Sequence, residues 1–170
     1  MIIKPHEIEK LNLSKNKFFL FYGKNQGHKD QIINSNFKKI FLKNTYVFEE
    51  TEILANIKSF FDQILSRSFF EKEKLIIINR ATDKIKTILE EIIDKDIEDL
   101  VIVLNSNSLE KKSKIRSLFE KNKNTYCVPF YEDNHQTLNS IISLFFRNKK
   151  IPISQQLINV LIERSRGDRK

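Results

Sequence analysis

The 170-residue sequence holds one cysteine, three glycines and three prolines. It also has no apolar run approaching the roughly 20 residues that span a bilayer. Each shortage excludes something. A lone Cys127 leaves no internal disulfide and fits a reducing cytoplasm; within the apolar stretch TYCVP it reads as core, not as a nucleophile. The opening MIIKPHEIEK carries acids and no long apolar segment, so no signal peptide and no membrane contact are expected. His6, His28 and His135 are scattered without metal-ligand spacing, so no metal site is expected. There is no Gly-x-Ser-x-Gly elbow for a serine nucleophile. The acidic pairs Glu49–Glu50 and Glu90–Glu91 are adjacent in sequence and therefore point to different faces, so they are expected to be solvated.

Hydrophobic residues make up 40% of the chain and charged residues 31%, the balance of a soluble globular domain. The formal charge of +8 invites a nucleic-acid reading. Abundance of Lys, Ile and Asn, however, is what an A+T-rich coding sequence produces. The lysines of KKSKIRSLFEKNK and FFEKEK alternate with acids, which reads as a mixed solvated face. Five β-rich runs stand out: Phe18–Tyr22, Thr45–Phe48, Leu75–Asn79, Leu100–Leu104 and Thr125–Pro129. At least three are continuously apolar, as strands covered on both faces of a parallel sheet must be. Helical spacing fills the intervals, including one helix expected from about Glu52 to Leu65. Alternating strand and helix predicts right-handed crossovers and a three-layer α/β sandwich. Ser108, Asp133 or Asn134, and Ser154 are the expected N-caps of the later helices, and Gly167 the expected end of the last. The Ile151–Pro152 break divides residues 1–149 from a second unit, 150–170, that lies outside the alternation.

The stretch FFLFYGKNQGHKDQII has the outline of a strand, a phosphate-cradling turn and a helix. A working loop of that kind places four residues between its glycines and follows the second with Lys and a hydroxyl residue that holds Mg²⁺. Here Gly23 and Gly27 enclose only Lys-Asn-Gln, and Gly27 is followed by His28, Lys29 and Asp30. The hydroxyl is missing and a carboxylate takes its place. The third strand should end in acids that hold the metal; it ends instead in Asn79 and Arg80. The loop therefore reads as degenerate, with no cofactor, no ATP hydrolysis and no catalytic residue expected.

One further segment, SFFDQILSRSFFEKEKLIIINRATDK, ends an amphipathic helix in Arg67-Ser68-Phe69-Phe70 before the third strand. Two adjacent phenylalanines cannot easily enter one core. Either one is core and one caps the helix, or both form an apolar plug for a partner. At this point the chain resembles the delta subunit of the bacterial DNA polymerase III clamp loader, which carries Ser-Leu-Phe at the end of this helix. Ser68-Phe69-Phe70 matches with Phe for Leu. LVIVLNSNSLEKKSKIRSLFEK, PFYEDNHQTLNSIISLFF and ISQQLINVLIERSRGDRK resemble its following elements in order, so the likeness covers essentially all 170 residues.

The resemblance implies an AAA+ fold with a degenerate nucleotide site, a five-stranded parallel sheet in the order 5-1-4-3-2, and the start of a small helical lid at 150–170. It implies a non-catalytic component of the polymerase III holoenzyme that binds and opens the sliding clamp, the beta subunit, during DNA replication. Phe69, Phe70 and Ser68 would bind the clamp, with Leu65 and Ile64 supporting them. The remaining loader subunits would be partners of the full-length protein, and DNA a partner only through the complex. The family also has a complete lid and a collar domain, so the chain is expected to be a fragment or a truncated product. The competing readings are a small nucleotide-binding ATPase and a stand-alone nucleic-acid-binding α/β domain.

Overall fold

The computed structural model describes the chain except for Ser14, Asn16, Lys43, residues 67–72, Asp96, Glu98, residues 166–168 and Lys170. Five strands, β1 (Phe18–Tyr22), β2 (Thr45–Glu49), β3 (Lys74–Asn79), β4 (Leu100–Asn105) and β5 (Thr125–Pro129), form one sheet. All four strand pairs are parallel, in the order β2-β3-β4-β1-β5. Read from the other edge, this is the expected 5-1-4-3-2.

The strand composition dictates the layering. In β1, β3 and β4 every residue but the last of β3 is buried, so both faces of the sheet are covered. Successive side chains point to opposite faces. Phe18, Leu20, Ile76, Ile78, Ile102 and Leu104 accordingly share one core cluster. Phe19, Phe21, Leu75, Ile77, Val101 and Val103 share the other. The edge strand β2 is only partly buried, and Val47 on it is exposed.

The second face is covered by α1 (Gln26–Ile32), which continues through a π-helical turn (Ile33–Lys38) into the short α2 (Lys39–Phe41). From this side Phe37 enters an aromatic cluster, edge-on to Phe19 at 5.0 Å and to Phe21 at 5.8 Å. The first face is covered by α3 (Glu50–Ala55), α4 (Ile57–Leu65), α5 (Lys86–Asp94) and α6 (Lys114–Lys121). The single helix expected from Glu52 to Leu65 is two. Asn56 adopts a non-helical backbone between them, and its side chain accepts from Ser59 N at 3.0 Å, so it caps α4 as a new start. The N-cap of α6 is Ser113 and not Ser108; the Asp83 carboxylate takes the Ser113 hydroxyl at 2.7 Å and Ile115 N at 3.0 Å, which fixes the helix start five residues later.

The last two helices are α7 (His135–Asn148), capped by Asn134, and α8 (Gln155–Ser165), preceded by Ser154, whose hydroxyl accepts from Leu157 N at 3.3 Å. Leu138, Ile158 and Ile162 form a third, small core between them. Among the described residues no helix is long and apolar enough to cross a membrane.

Phe37 ties the π-helical turn to β1 through two ring contacts, and truncating it leaves a cavity in the core of the second face. Phe37→Ala should lower unfolding stability by about 3–5 kcal/mol. Chemical denaturation measures this, and a loss below about 1 kcal/mol would show that the helical layer repacks freely around the site.

Candidate functional site

The connection leaving β1 runs over one face of the sheet and the connection leaving β4 over the other. The carboxyl ends of these neighbouring strands therefore flank the crevice where open α/β sheets bind ligands. Gly23 turns the chain there with φ +125°. A Cβ would lie 2.1 Å from the Phe130 carbonyl oxygen, so only glycine fits. Gly23 N donates to Asn107 O at 3.2 Å and Asn25 N to Phe130 O at 3.4 Å, which binds the loop to the segments after β4 and β5.

The amino end of α1 has N–H groups without helical partners, the usual seat of a phosphate. In this chain its own groups occupy that end. The Asn25 side-chain oxygen accepts from His28 N at 3.0 Å. Asn25 Nδ2 donates to Tyr131 O at 3.1 Å and to Asp133 Oδ2 at 2.8 Å. Arg169 then closes on Asp133 with two parallel bonds, Nε to Oδ2 and Nη2 to Oδ1, both 2.6 Å, and its Nη1 donates to Gln31 Oε1 at 3.2 Å. Such planar two-point pairing is the strong form of a guanidinium–carboxylate contact. Both side chains are largely buried. Burial works to raise the Asp133 pKa, but the bonds from Arg169 and Asn25 outweigh it and hold the carboxyl below its usual range. Gly27 sits under this pair: a Cβ on it would come within 2.9 Å of Arg169 Cβ. His28 stands edge-on to Phe130 at 5.1 Å, and burial, assisted by the Arg169 charge, lowers its pKa.

Lys29, the residue that would reach phosphate oxygens in a working loop, turns inward. It is 1% exposed, and its ammonium donates to Ser106 O at 2.7 Å. Burial pushes its pKa down to about 8, against a smaller opposing pull from Asp30. Asp30 itself accepts from Gln26 Nε2 at 2.7 Å, one helical turn back.

Across the strand ends lies a row of paired polar groups. Asn105 Nδ2 donates to Asn79 Oδ1 at 3.3 Å, Asn79 Nδ2 to Glu49 Oε1 at 3.3 Å, and Arg80 Nε to Glu49 Oε2 at 2.7 Å. Glu50 corrects the expectation of a solvated acidic pair: it is buried and accepts from Thr82 N at 2.7 Å and from the Thr82 hydroxyl. Each carboxylate is engaged by a protein donor. Cys127 is fully buried, and burial pushes its thiol up to about 12, which leaves the sulfur protonated and unreactive at neutral pH. Among the described residues no cluster of three or more His, Cys, Asp or Glu side chains could hold a metal ion.

Ser68, Phe69 and Phe70 lie outside the described residues. Of their two neighbours on α4, Leu65 is 44% exposed and Ile64 is buried in the core of the first face. Lys74, at the start of β3, donates to Ser66 O and Oγ and to Gln63 O, so the end of α4 is held at the amino end of β3. The structure thus brings Gly23, Gly27 and Lys29 together at one end of the sheet, and puts Leu65 at the opposite end. Asn25, Asp133 and Arg169 were not foreseen as site residues. Asn25 has the residue type of an N-cap before a helix, which was a usable signal; an Asp–Arg pair 36 residues apart left none in the sequence.

No protein-family model matches this chain, and no curated protein matches it. Among solved structures it is similar to the Bacillus subtilis DNA clamp loader delta protein YqeN, with a TM-score of 0.65 and 15% identity over 93% of this chain and 51% of that one. It also aligns with domain III of the Thermotoga maritima replication initiation protein DnaA, over 94% of this chain and 72% of that one at 14% identity, but the TM-score of 0.49 is too low to carry an argument. The chain spans about half the length of the YqeN structure. The likeness is one of fold: a parallel α/β sheet with helices on both faces.

The buried Lys29 predicts a specific pH dependence. Between about 8 and about 10.5 the unfolded chain keeps a proton that the folded chain has released, so raising the pH favours the folded state. Measured against Lys29→Met, the wild type should gain about 3 kcal/mol of relative stability across that window, with no change below it. Denaturant unfolding at a series of pH values reads the difference; a flat difference would mean that Lys29 is solvated.

Proposed function

We propose that this chain acts as a non-catalytic, delta-type clamp-loader subunit, which binds a ring-shaped sliding clamp and favours its open form during DNA replication. The observation that carries the reading is the filled amino end of α1. On a fold shared with a clamp-loader delta protein, the phosphate position is taken by the chain's own Asn25, Asp133 and Arg169. Such a domain works by binding rather than by hydrolysis, without a cofactor.

In this reading the apolar wedge is Phe69 and Phe70, introduced by Ser68, beside the exposed Leu65 and backed by the buried Ile64. Lys74 ties the end of α4, which precedes these residues in sequence, to the start of β3. A wedge does mechanical work without chemistry: it opens a ring to the extent that it binds the open form more tightly than the closed one. Residues 1–149 are the clamp-facing domain and 150–170 the beginning of a helical lid. The remaining partners are the other loader subunits, with DNA met through the assembly, and the setting is the cytoplasm.

Central aromatic anchors commonly cost about 2 kcal/mol or more when truncated, roughly thirtyfold in affinity. The double variant Phe69→Ala/Phe70→Ala should therefore lose at least that much affinity for the organism's own sliding clamp, while its thermal midpoint stays within a few degrees of wild type. Immobilised clamp and a melting curve supply both readings. Undiminished clamp binding, or a large fall in melting temperature, would show the two rings to be core.

A further inference from the structure

The two edges of the sheet differ in their cover. The outer edge of β5 is closed by the amino-terminal segment: Ile2 bridges to Cys127, Cys127 N donates to Met1 O at 2.8 Å, and Ile3 N donates to Cys127 O at 3.0 Å. The outer edge of β2 has no such cover among the described residues. Leu75 N donates to Asn44 O at 2.9 Å, and the register sets Thr45 opposite Leu75. Tyr46 and Phe48 therefore turn their backbone groups toward β3, while Thr45, Val47 and Glu49 turn theirs outward. Glu49 N is taken by Glu52 Oε2 at 3.1 Å. The outward N–H and C=O groups of Thr45 and Val47 have no partner among the described residues. Proteins guard such edges with lysine, proline, a bulge or a covering segment. β2 reads TYVFE in unbroken register, with none of these and with residues that favour strands. Val47 is 52% exposed, and Ile40 and Leu42, just ahead of β2 in the chain, are more exposed still.

We propose that β2 pairs antiparallel with β2 of a second copy of this chain, about a twofold axis at Tyr46, joining two sheets into one. This register sets Thr45 of each copy opposite Val47 of the other. The unpartnered N–H and C=O groups of both residues then satisfy one another, and the cap on Glu49 N is left intact. The two Tyr46 side chains oppose each other on one face, an aromatic cross-strand pair. Charge selects both the occupant and its direction. The chain enters β2 through KKIFLK (38–43) and leaves it through EETE (49–52). Lys38 and Lys39 are exposed at the entry and Glu52 at the exit, while Glu50 is withdrawn into the core. An antiparallel copy sets the basic entry of each strand toward the acidic exit of the other, whereas a parallel copy would set like against like. The contact is self-complementary, as a twofold interface must be. It uses no residue of the clamp wedge and does not depend on it.

Sedimentation velocity of the full chain over a concentration series tests the pairing, and a reversible monomer–dimer equilibrium is expected. Val47→Pro removes an outward N–H and no bond to β3, and proline is tolerated at such edge positions, so the circular dichroism spectrum should be kept. One bond is lost on each copy, so the dimer dissociation constant should rise about tenfold or more. Val47→Lys leaves the backbone intact while guarding the edge, and should act in the same direction. Val47→Cys reads the register. Pairing about Tyr46 puts the two Val47 positions about 7–8 Å apart on one face, within reach of a short bismaleimide. Cys127 is buried and does not compete. Val160→Cys, on the exposed side of α8, is the control and should stay unlinked. A chain that stays monomeric throughout, leaving the edge to a different protein, would overturn the proposal. So would a dimer unchanged by both Val47→Pro and Val47→Lys, or cross-linking through Val160→Cys in place of Val47→Cys.

Discussion

The buried ammonium of Lys29, donated to the Ser106 carbonyl at 2.7 Å, is the contact around which the site is arranged. A charge taken out of water is tolerated only when it is well bonded, and this one is bonded to backbone at the end of β4. Ser106 is itself fixed: its N–H donates to Phe21 O at 2.8 Å and its hydroxyl to Ala81 O at 2.7 Å. One cation thus joins α1 to the carboxyl ends of β1, β3 and β4. In a phosphate loop the same lysine must point outward to reach a ligand. Turned inward, it becomes part of the scaffold, and the anion seat at the helix end passes to Asn25 and the Asp133–Arg169 pair. Positions that a phosphate loop would turn to a ligand carry hydrogen bonds within the protein here.

The same contacts tie the carboxy-terminal helices to the sheet. Asp133 lies between β5 and α7 and Arg169 beyond α8, so their two-point contact draws the α7–α8 pair toward the sheet. A domain stabilised from within can present surfaces at its ends as rigid tools.

The sheet was legible because the centres of β1, β3 and β4 are continuous apolar runs, as strands buried on both faces require. The loop's departure from the phosphate-binding pattern was legible because that pattern depends on residue types at fixed spacing, and the missing hydroxyl and the Asp30 carboxylate are visible in the string. At the amino end of α1 only the capping type of Asn25 was legible; Asp133 and Arg169 reach it through tertiary structure. The break at Asn56 was missed because apolar spacing continues across it while the backbone does not. Ser108 has the residue type of a cap but Ser113 takes the role, because Asp83, 30 residues earlier, binds the Ser113 hydroxyl. Glu50 looked solvated because its partner Thr82 comes from another strand's end.

The central claim is that the phosphate seat is filled by the protein itself. Isothermal titration of the full chain with Mg-ATP tests it most directly. The account predicts no heat of binding, because an incoming phosphate would have to displace the Asp133–Arg169 pair and the Asn25 cap together. Saturable binding at micromolar concentration would contradict it, and would make this loop a working nucleotide site.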